Sequence, residues 1–555
     1  MEKRLLLAAG LSLAVLLLWE LVVPKPKPVP ASAAPARSPR AAVSPVATAA
    51  PPAPAPGAAT APVAAAEETA TVLENGLLRL TLSNRGAVIS SVVLPRYQDE
   101  QRRPLELVRQ LPPPAPRPLA LDFPGHPEVA ARASGALYAV EKLSDRAARL
   151  RYSDGQFQVV KEVRLADGYL FDVAVSVVGP AYRLFVGSGL RNPTERELAN
   201  RYVMPATAVV ASGGGLEKIR ADKLEKQVGG VSSSLPAGGF AGIEDNYFLT
   251  VFLPSRPAES VVAPVRVAPA EPAGKPQATV SAALSGSGDL AVRAYFGPKD
   301  VEVLESLHAG LERTVDFGWY GILARPLLWL LKRTYALVGN YGLAILLVTL
   351  LIRIALFPLM HKSYASMKKM QKLAPKMNAI RDKYKKAKTD AAQRAKMNQE
   401  LMALYQAEGY NPMSGCLPIL LQLPILVAFY NVLSRTIELR HAPFALWIKD
   451  LSSMDQTYVL LILMIVSMYV QQAMTPSTAD PTQKKIFMAM PLLWGFFLKD
   501  MPSGLVLYWL FSNVLTILQQ LLINKIVKDE PASETAPARS DRRKGRVAPA
   551  KGAGR

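Results

Sequence analysis

The sequence predicts a polytopic α-helical membrane protein with six transmembrane helices, carrying a large β-sandwich on the outer side of the membrane. Three observations lead there. Half of the 555 residues are hydrophobic, and they are bunched into runs instead of being spread evenly. Between about residues 67 and 312, apolar and polar residues alternate with period two, bounded by Gly, Asp, Asn and Pro, as in half-buried antiparallel strands. The formal net charge of +21 demands a face that tolerates or seeks anionic partners such as lipid headgroups or RNA.

The N-terminus, "MEKRLLLAAGLSLAVLLLWELVV", sets Lys3 and Arg4 before an apolar run near the length needed to span. Residues 1–23 therefore read as a retained anchor. The rival reading is a cleaved signal peptide, with Ala31-Ser32-Ala33 as the small-residue site. Residues 24–66 are mostly Pro, Ala, Ser and Val, which cannot bury a core and form a semi-rigid tether. Residues 67–312 make the β-domain, with strand patterns such as "LLRLTLSNRGAVISSVVL", "QFQVVKEVRL" and "YLFDVAVSVV". No nucleophile, metal or phosphate motif stands out there, so binding or scaffolding is its expected role. Residues 313–340 mix Trp319, Tyr320 and Trp329 with Arg325, Lys332 and Arg333. That suits a helix lying in the membrane interface; an amphipathic helix packed on the β-domain is the alternative.

Five further spans follow, at about 341–360, 413–433, 458–472, 487–498 and 503–526. The fourth is too short to cross alone, and needs neighbouring residues or a locally thinned bilayer. Charge sets the orientation. Between His361 and Tyr410 there are twelve basic and four acidic residues, and from Lys525 to Arg555 nine and four. The loop Thr436–Asp455 has two basic and three acidic residues. Basic loops stay cytoplasmic, so both termini and the hairpin at 363–408 lie inside, and the β-domain outside. The hairpin reads as two antiparallel helices. Its Lys368, Lys369, Lys372, Lys376, Arg381, Lys385 and Lys386, with the basic tail at 527–555, are candidates for recruiting ribosomes, lipids or proteins; a solvated face without a partner is the plain alternative.

Inside the 341–360 span lies Arg353, which cannot shed its proton. A cation at the centre of a spanning helix costs about 2.5–3.5 kcal/mol on insertion scales. No Asp or Glu occurs in any of the five later spans, so an intramembrane salt bridge is unavailable. Thr349 shares the face of Arg353 one turn away. Gln422, Ser467, Gln471, Gln472, Ser512 and Asn513 add polar groups that would be costly against lipid. Together they are expected to line a hydrated cavity around Arg353. Gln519 and Gln520, nearer the inner end, are expected to be satisfied by a neighbouring helix. With one cysteine, Cys416, disulfides within the chain and multi-cysteine metal sites are excluded. No P-loop, metal triad or GxSxG is present, so no enzymatic activity and no cofactor are expected.

The segments "NYGLAILLVTLLIRIALFPL", "YQAEGYNPMSGCLPILLQLPI", "ELRHAPFALWIKDLS" and "MPSGLVLYWLFSNVLTILQQ" closely resemble the YidC/Oxa/Alb family of membrane protein insertases, over about residues 316–526. The β-domain behind an anchor is similar to the layout in Gram-negative bacteria. The resemblance implies a five-helix insertase core with a hydrophilic groove open to the cytoplasm and lipid, and a periplasmic β-supersandwich. The groove arginine falls on Arg353 and its threonine on Thr349. Client-contacting positions fall on Leu423 and Pro424, beside Gln422, and a groove-facing aromatic on Trp509, beside Tyr508 and Ser512. The implied activity is insertion, folding and assembly of inner-membrane proteins, alone or with the Sec translocon and its accessory subunits. Nascent membrane proteins, ribosomes and lipids are the implied partners; DNA is not. Assembly chaperoning without insertion, or transport, are the rival functions. Two departures from the family stand out: the long Pro/Ala tether, and Lys499-Asp500 between the last two spans.

Overall fold

The computed structural model describes residues 62–195, 197, 203–226, 230–267, 277–384, 390–408, 417–475 and 481–526. The expected anchor at 1–23, most of the tether and the basic tail lie outside the described residues, as do Lys385 and Lys386 and the side chains of Lys368 and Lys369.

Three antiparallel sheets build the β-domain. The largest has nine strands, starting at Gly215–Ile219 and passing through Thr207–Ser212, Phe240–Glu244, Phe248–Pro254 and Asp289–Pro298. It continues through Leu170–Val178, Gln158–Leu165 and Ala147–Ser153 to Ala139–Ser144. A five-stranded sheet runs from Val231–Leu235 through Ala258–Val267, Gln277–Gly286 and Tyr182–Ser188 to Leu121–Asp122. A four-stranded sheet joins Ala70–Glu74, Arg79–Ser83, Val88–Gln98 and Pro104–Glu106. Strand alternation sorts residues between core and solvent. Along Gln158–Leu165, positions 159, 161, 163 and 165 are buried and those between are not. Phe171 meets Phe296 edge-on with ring centres 5.1 Å apart, and Phe252 lies stacked beside Phe296. Short helices α1 (Pro127–Gly135) and α2 (Ala221–Leu224) decorate the sheets.

The helical part begins with α3 (Val301–Ser306), capped by Asp300, whose carboxylate accepts from the Glu302 and Val303 amides. Helix α4 (Gly321–Val338) ends where Gly339 takes φ 66°, a left-handed conformation that favours glycine at a helix end. It buries Leu327, Leu328 and Leu331 while Trp319, Ile322 and Trp329 stay exposed. Helix α5 (Tyr341–Lys372) runs unbroken for 32 residues. The first arm of the expected hairpin is therefore a continuation of the span, and the chain breaks only at Leu373, ahead of Pro375. The proline has no N–H to donate to the Gln371 carbonyl of the preceding turn. Helices α6 (Ala374–Lys383) and α7 (Ala391–Ala407) follow, the latter capped by Asp390.

Helices α8 (Leu417–Arg435), α9 (Val459–Met474), α10 (Pro481–Leu498) and α11 (Ser503–Ile526) complete the bundle. Helix α9 packs along α10 and α11, α5 against α4 and α11, and α8 against α4. Two stretches, Tyr341–Tyr364 and Ser503–Ile523, are long and apolar enough to cross a membrane; Leu420–Arg435, Val459–Met474 and Lys485–Leu498 are shorter apolar helices. The run at 487–498 is lengthened by its own N-terminal neighbours: α10 has 18 residues, about 27 Å at 1.5 Å per residue.

Side chains join the two parts. Asn246 of the β-domain donates to the Ser434 carbonyl at the end of α8, at 3.1 Å. From the loop beyond, Arg440 donates to the Gln98 carbonyl at 2.5 Å and lies over the Tyr247 and Phe248 rings. Lys332 of α4 pairs with Glu438 of that loop at 2.5 Å, with Glu302 at 3.1 Å and with Asp300 at 3.7 Å.

Candidate functional site

Three helices converge on Arg353. Its Nη2 donates to the Ser512 hydroxyl and, at 3.2 Å, to the Ser512 carbonyl. Ser512 and Tyr508 lie four residues apart on α11, hence on one face. From α8, the Gln422 side-chain amide donates to the Tyr508 hydroxyl at 2.6 Å and reaches the Ser512 hydroxyl at 3.4 Å. Tyr508 is held in place by stacking on Phe429 of α8, centres 4.0 Å apart. The resulting cluster is polar but uncharged except for the guanidinium. Among the described residues no carboxylate comes within ion-pair distance of Arg353. A guanidinium has five N–H donors, and the bonds described engage only Nη2. The arrangement therefore offers a fixed cation with spare donors, able to hold water or an acidic group.

Thr349 does not join this cluster. Its hydroxyl donates to the Ile345 carbonyl of its own helix at 2.6 Å, and it is buried. Leu423 is exposed on α8. Pro424, next to it, cannot donate to the Leu420 carbonyl one turn earlier. Trp509 turns away from Tyr508 and meets Trp494 of α10 at 6.0 Å. Consecutive residues on α11 thus face different neighbours, Tyr508 the α8 side and Trp509 the α10 side.

The other polar residues of the spans are not gathered around Arg353. Asn513 donates to the Ser467 hydroxyl at 2.9 Å, tying α11 to α9. Ser467 also borders an apolar cavity of about 300 Å³ between α5, α9 and α11. The Gln520 amide nitrogen donates to Thr475 at 3.1 Å, so the expected bond to a neighbouring helix is met only in part: the Gln520 Oε1 and the Gln519 Nε2 have no partner among the described residues.

In the hairpin, Lys376 pairs with Glu408 at 2.7 Å, and Glu400 takes Lys383 at 2.5 Å and the Tyr384 hydroxyl at 2.9 Å. Lys372 and Arg381 also have bonded neighbours. Part of the basic charge that the sequence offers to partners is thus used to join α6 to α7. The acids responsible, Glu400 and Glu408, lie one helix away and carry no local signal. No group of three or more His, Cys, Asp or Glu residues able to hold a metal occurs among the described residues.

Apolar helices packed around a cation among neutral polar groups, joined to a β-rich domain, define the class as an integral membrane protein with an extramembrane domain. Residues 70–330 match the family described as YidC periplasmic domain, and residues 333–530 the family described as 60Kd inner membrane protein. The chain belongs to the YidC family of membrane protein insertases. It is 34% identical to the membrane protein insertase YidC of Syntrophus aciditrophicus, across 95% of this chain and 100% of that protein. With the protein of the same name from Geobacter metallireducens it shares 45% identity over 56% of this chain and 57% of that one. A solved structure titled "Active YidC insertase crystal structure with the first transmembrane domain resolved" is similar with a TM-score of 0.36 and 18% identity, covering 82% of this chain and 94% of that one. Members of this family are inner-membrane proteins with a periplasmic domain.

Proposed function

We propose that this insertase receives the polar tail of a nascent membrane protein at the Arg353 cluster, through a hydrophilic groove open to the cytoplasm. The tail enters partway, which shortens the dry path it must cross. The spare donors of Arg353 attract an acidic tail, and Gln422, Tyr508 and Ser512 keep the cation in place. Leu423 and Pro424 on α8, and Trp509 facing α10, offer the client's apolar helix a surface beside the cluster. The client then leaves toward lipid. Burial of apolar surface, at about 25 cal/mol per Å², drives that step without a nucleotide.

In this reading the chain has six spans: the anchor at 1–23, the long helices α5 and α11, and the shorter α8, α9 and α10. Both termini and the hairpin are cytoplasmic, following the basic loops. The hairpin and tail receive ribosomes and anionic lipid, since phosphate-rich partners favour dense positive charge. The Sec translocon cooperates for some clients. One observation supports the mechanism above the rest: a guanidinium on α5 among neutral polar side chains from α8 and α11, with no described carboxylate to neutralise it. Liposomes containing this protein alone test it. A short single-span client added to them should become protected from external protease across its translocated tail. Absence of protection would leave assembly chaperoning as the function.

A further inference from the structure

We propose that the β-domain carries a binding site for a small oxyanion, a carboxylate or phosphate group, between Arg109 and Arg117. The two arginines flank one opening at the end of the Tyr182–Ser188 strand, where the proline-rich segment around Pro116 and Pro118 forms the rim. Neither bonds to a carboxylate among the described residues, and no Asp or Glu lines the opening. Elsewhere in this domain arginines are commonly paired: Arg79, Arg85, Arg103, Arg132 and Arg149 all hold acids within 3.1 Å. Two unpaired guanidiniums at one opening are therefore unspent positive charge.

An independent observation lies behind them. The Thr279 hydroxyl is buried, the residue being 2% exposed, and has no hydrogen-bond partner among the described residues. A buried hydroxyl left unmet is costly, so a partner there is expected. It points to the same place as Arg109. A side-chain carbon at Gly189 would stand 2.9 Å from the Thr279 Oγ1, 2.7 Å from the Arg109 Cδ and 3.5 Å from its Nη1. Gly189 adopts φ +70°, and with no side chain it lets the Arg109 stem and the Thr279 hydroxyl approach each other over its backbone. Ser188, beside them, is already committed to the Pro116 carbonyl at 2.8 Å. The floor is apolar, from Val186, Leu190 and Phe296.

Size limits what enters. The enclosed space is about 10 Å³, room for one water-sized group. Thr279 stands behind Gly189 and not on the lining, so one oxygen of the anion meets its hydroxyl once the Arg109 stem lifts, while the rest stays at the mouth between the arginines. A planar carboxylate or a phosphate matches the guanidinium fork with two parallel bonds. The site is remote in sequence from the Arg353 cluster and does not depend on the groove mechanism.

Titration calorimetry on the full chain in nanodiscs tests the site, with acetate and inorganic phosphate as separate probes against chloride at constant ionic strength. Saturable one-to-one binding of at least one probe is expected, and which one binds identifies the group. Arg109→Gln and Thr279→Val should each weaken it at least tenfold, and Arg117→Gln severalfold, with circular dichroism confirming the fold of each. Lys142→Gln, on the outermost strand Ala139–Ser144 of the nine-stranded sheet, should leave it unchanged. If neither probe binds saturably, or if well-folded Arg109→Gln and Arg117→Gln both bind as the parent does, the site holds only water and the proposal falls.

Discussion

Arg353 and Ser512 are 159 residues apart, yet the guanidinium of the first donates to both the hydroxyl and the carbonyl of the second. The serine fixes where the cation sits without neutralising it. A carboxylate in its place would hold the arginine harder and cancel the charge that the insertase reading requires.

Arg353→Ala should slow insertion of a short client with an acidic tail about tenfold, corresponding to a loss of about 1.4 kcal/mol. Arg353→Lys should retain part of the rate, since a lysine keeps the charge but loses the planar fork. The measurement is protease protection of the client in liposomes. Equal rates for all three forms would show the charge to be dispensable.

Tyr508→Phe removes the hydroxyl that receives the Gln422 amide but keeps the stacking on Phe429. The net loss should be about 1 kcal/mol, read as a lower melting temperature in detergent. Gln422→Leu should cost a similar amount, and the two losses should not add, because they break the same bond.

Lys161 should make the stability of the β-domain depend on pH. It lies in the core and donates to the Gly86, Ala87 and Leu119 carbonyls, and burial pushes its pKa down to about 7. The unfolded chain holds this proton up to about pH 10.4. Between those values the unfolded state binds more protons than the folded one, so stability must rise with pH, by at most about 1.4 kcal/mol per unit. Below about pH 7 both states are charged and the slope vanishes. Lys161→Met should abolish the rise and, by stranding three carbonyls, should also lower stability near pH 7. Denaturant titrations at several pH values would measure both effects.

Gly342→Ala should disturb the start of α5. A side-chain carbon there would fall 2.0 Å from one Phe444 ring atom and 2.7 Å from the Phe444 Cβ, too close for the ring to swing aside. Overpacking of this kind costs about 1–3 kcal/mol. Phe444→Gly removes the Cβ as well as the ring, so the double variant should lose less thermal stability than the two single losses added, which a clash elsewhere would not allow.

The strands were largely legible in the sequence because period-two alternation is local: in Gln158–Leu165 the buried positions are those the pattern marks. The same pattern puts Lys161 on the inward face, a signal present in the sequence but masked by the expectation that lysines face solvent. Around Arg353, the pairing of Tyr508 with Ser512 follows from helical spacing, and so does the shared face of Thr349. The inward turn of the Thr349 hydroxyl to its own backbone was not legible, because a rotamer choice leaves no trace in spacing. Nor was the bond from Arg440 to Gln98, which spans 342 residues. Contacts of that range depend on how finished domains dock, and no window of sequence contains both partners.

Lys332 grips acids from two directions at once, Asp300 and Glu302 at the foot of the sandwich and Glu438 in the loop after α8. With Asn246 and Arg440 alongside, the periplasmic domain is not a pendulum swinging on its backbone connection. Traction applied to the sandwich reaches the ends of α4 and α8 directly, so a partner that seizes it outside the cell membrane also takes hold of the helices within.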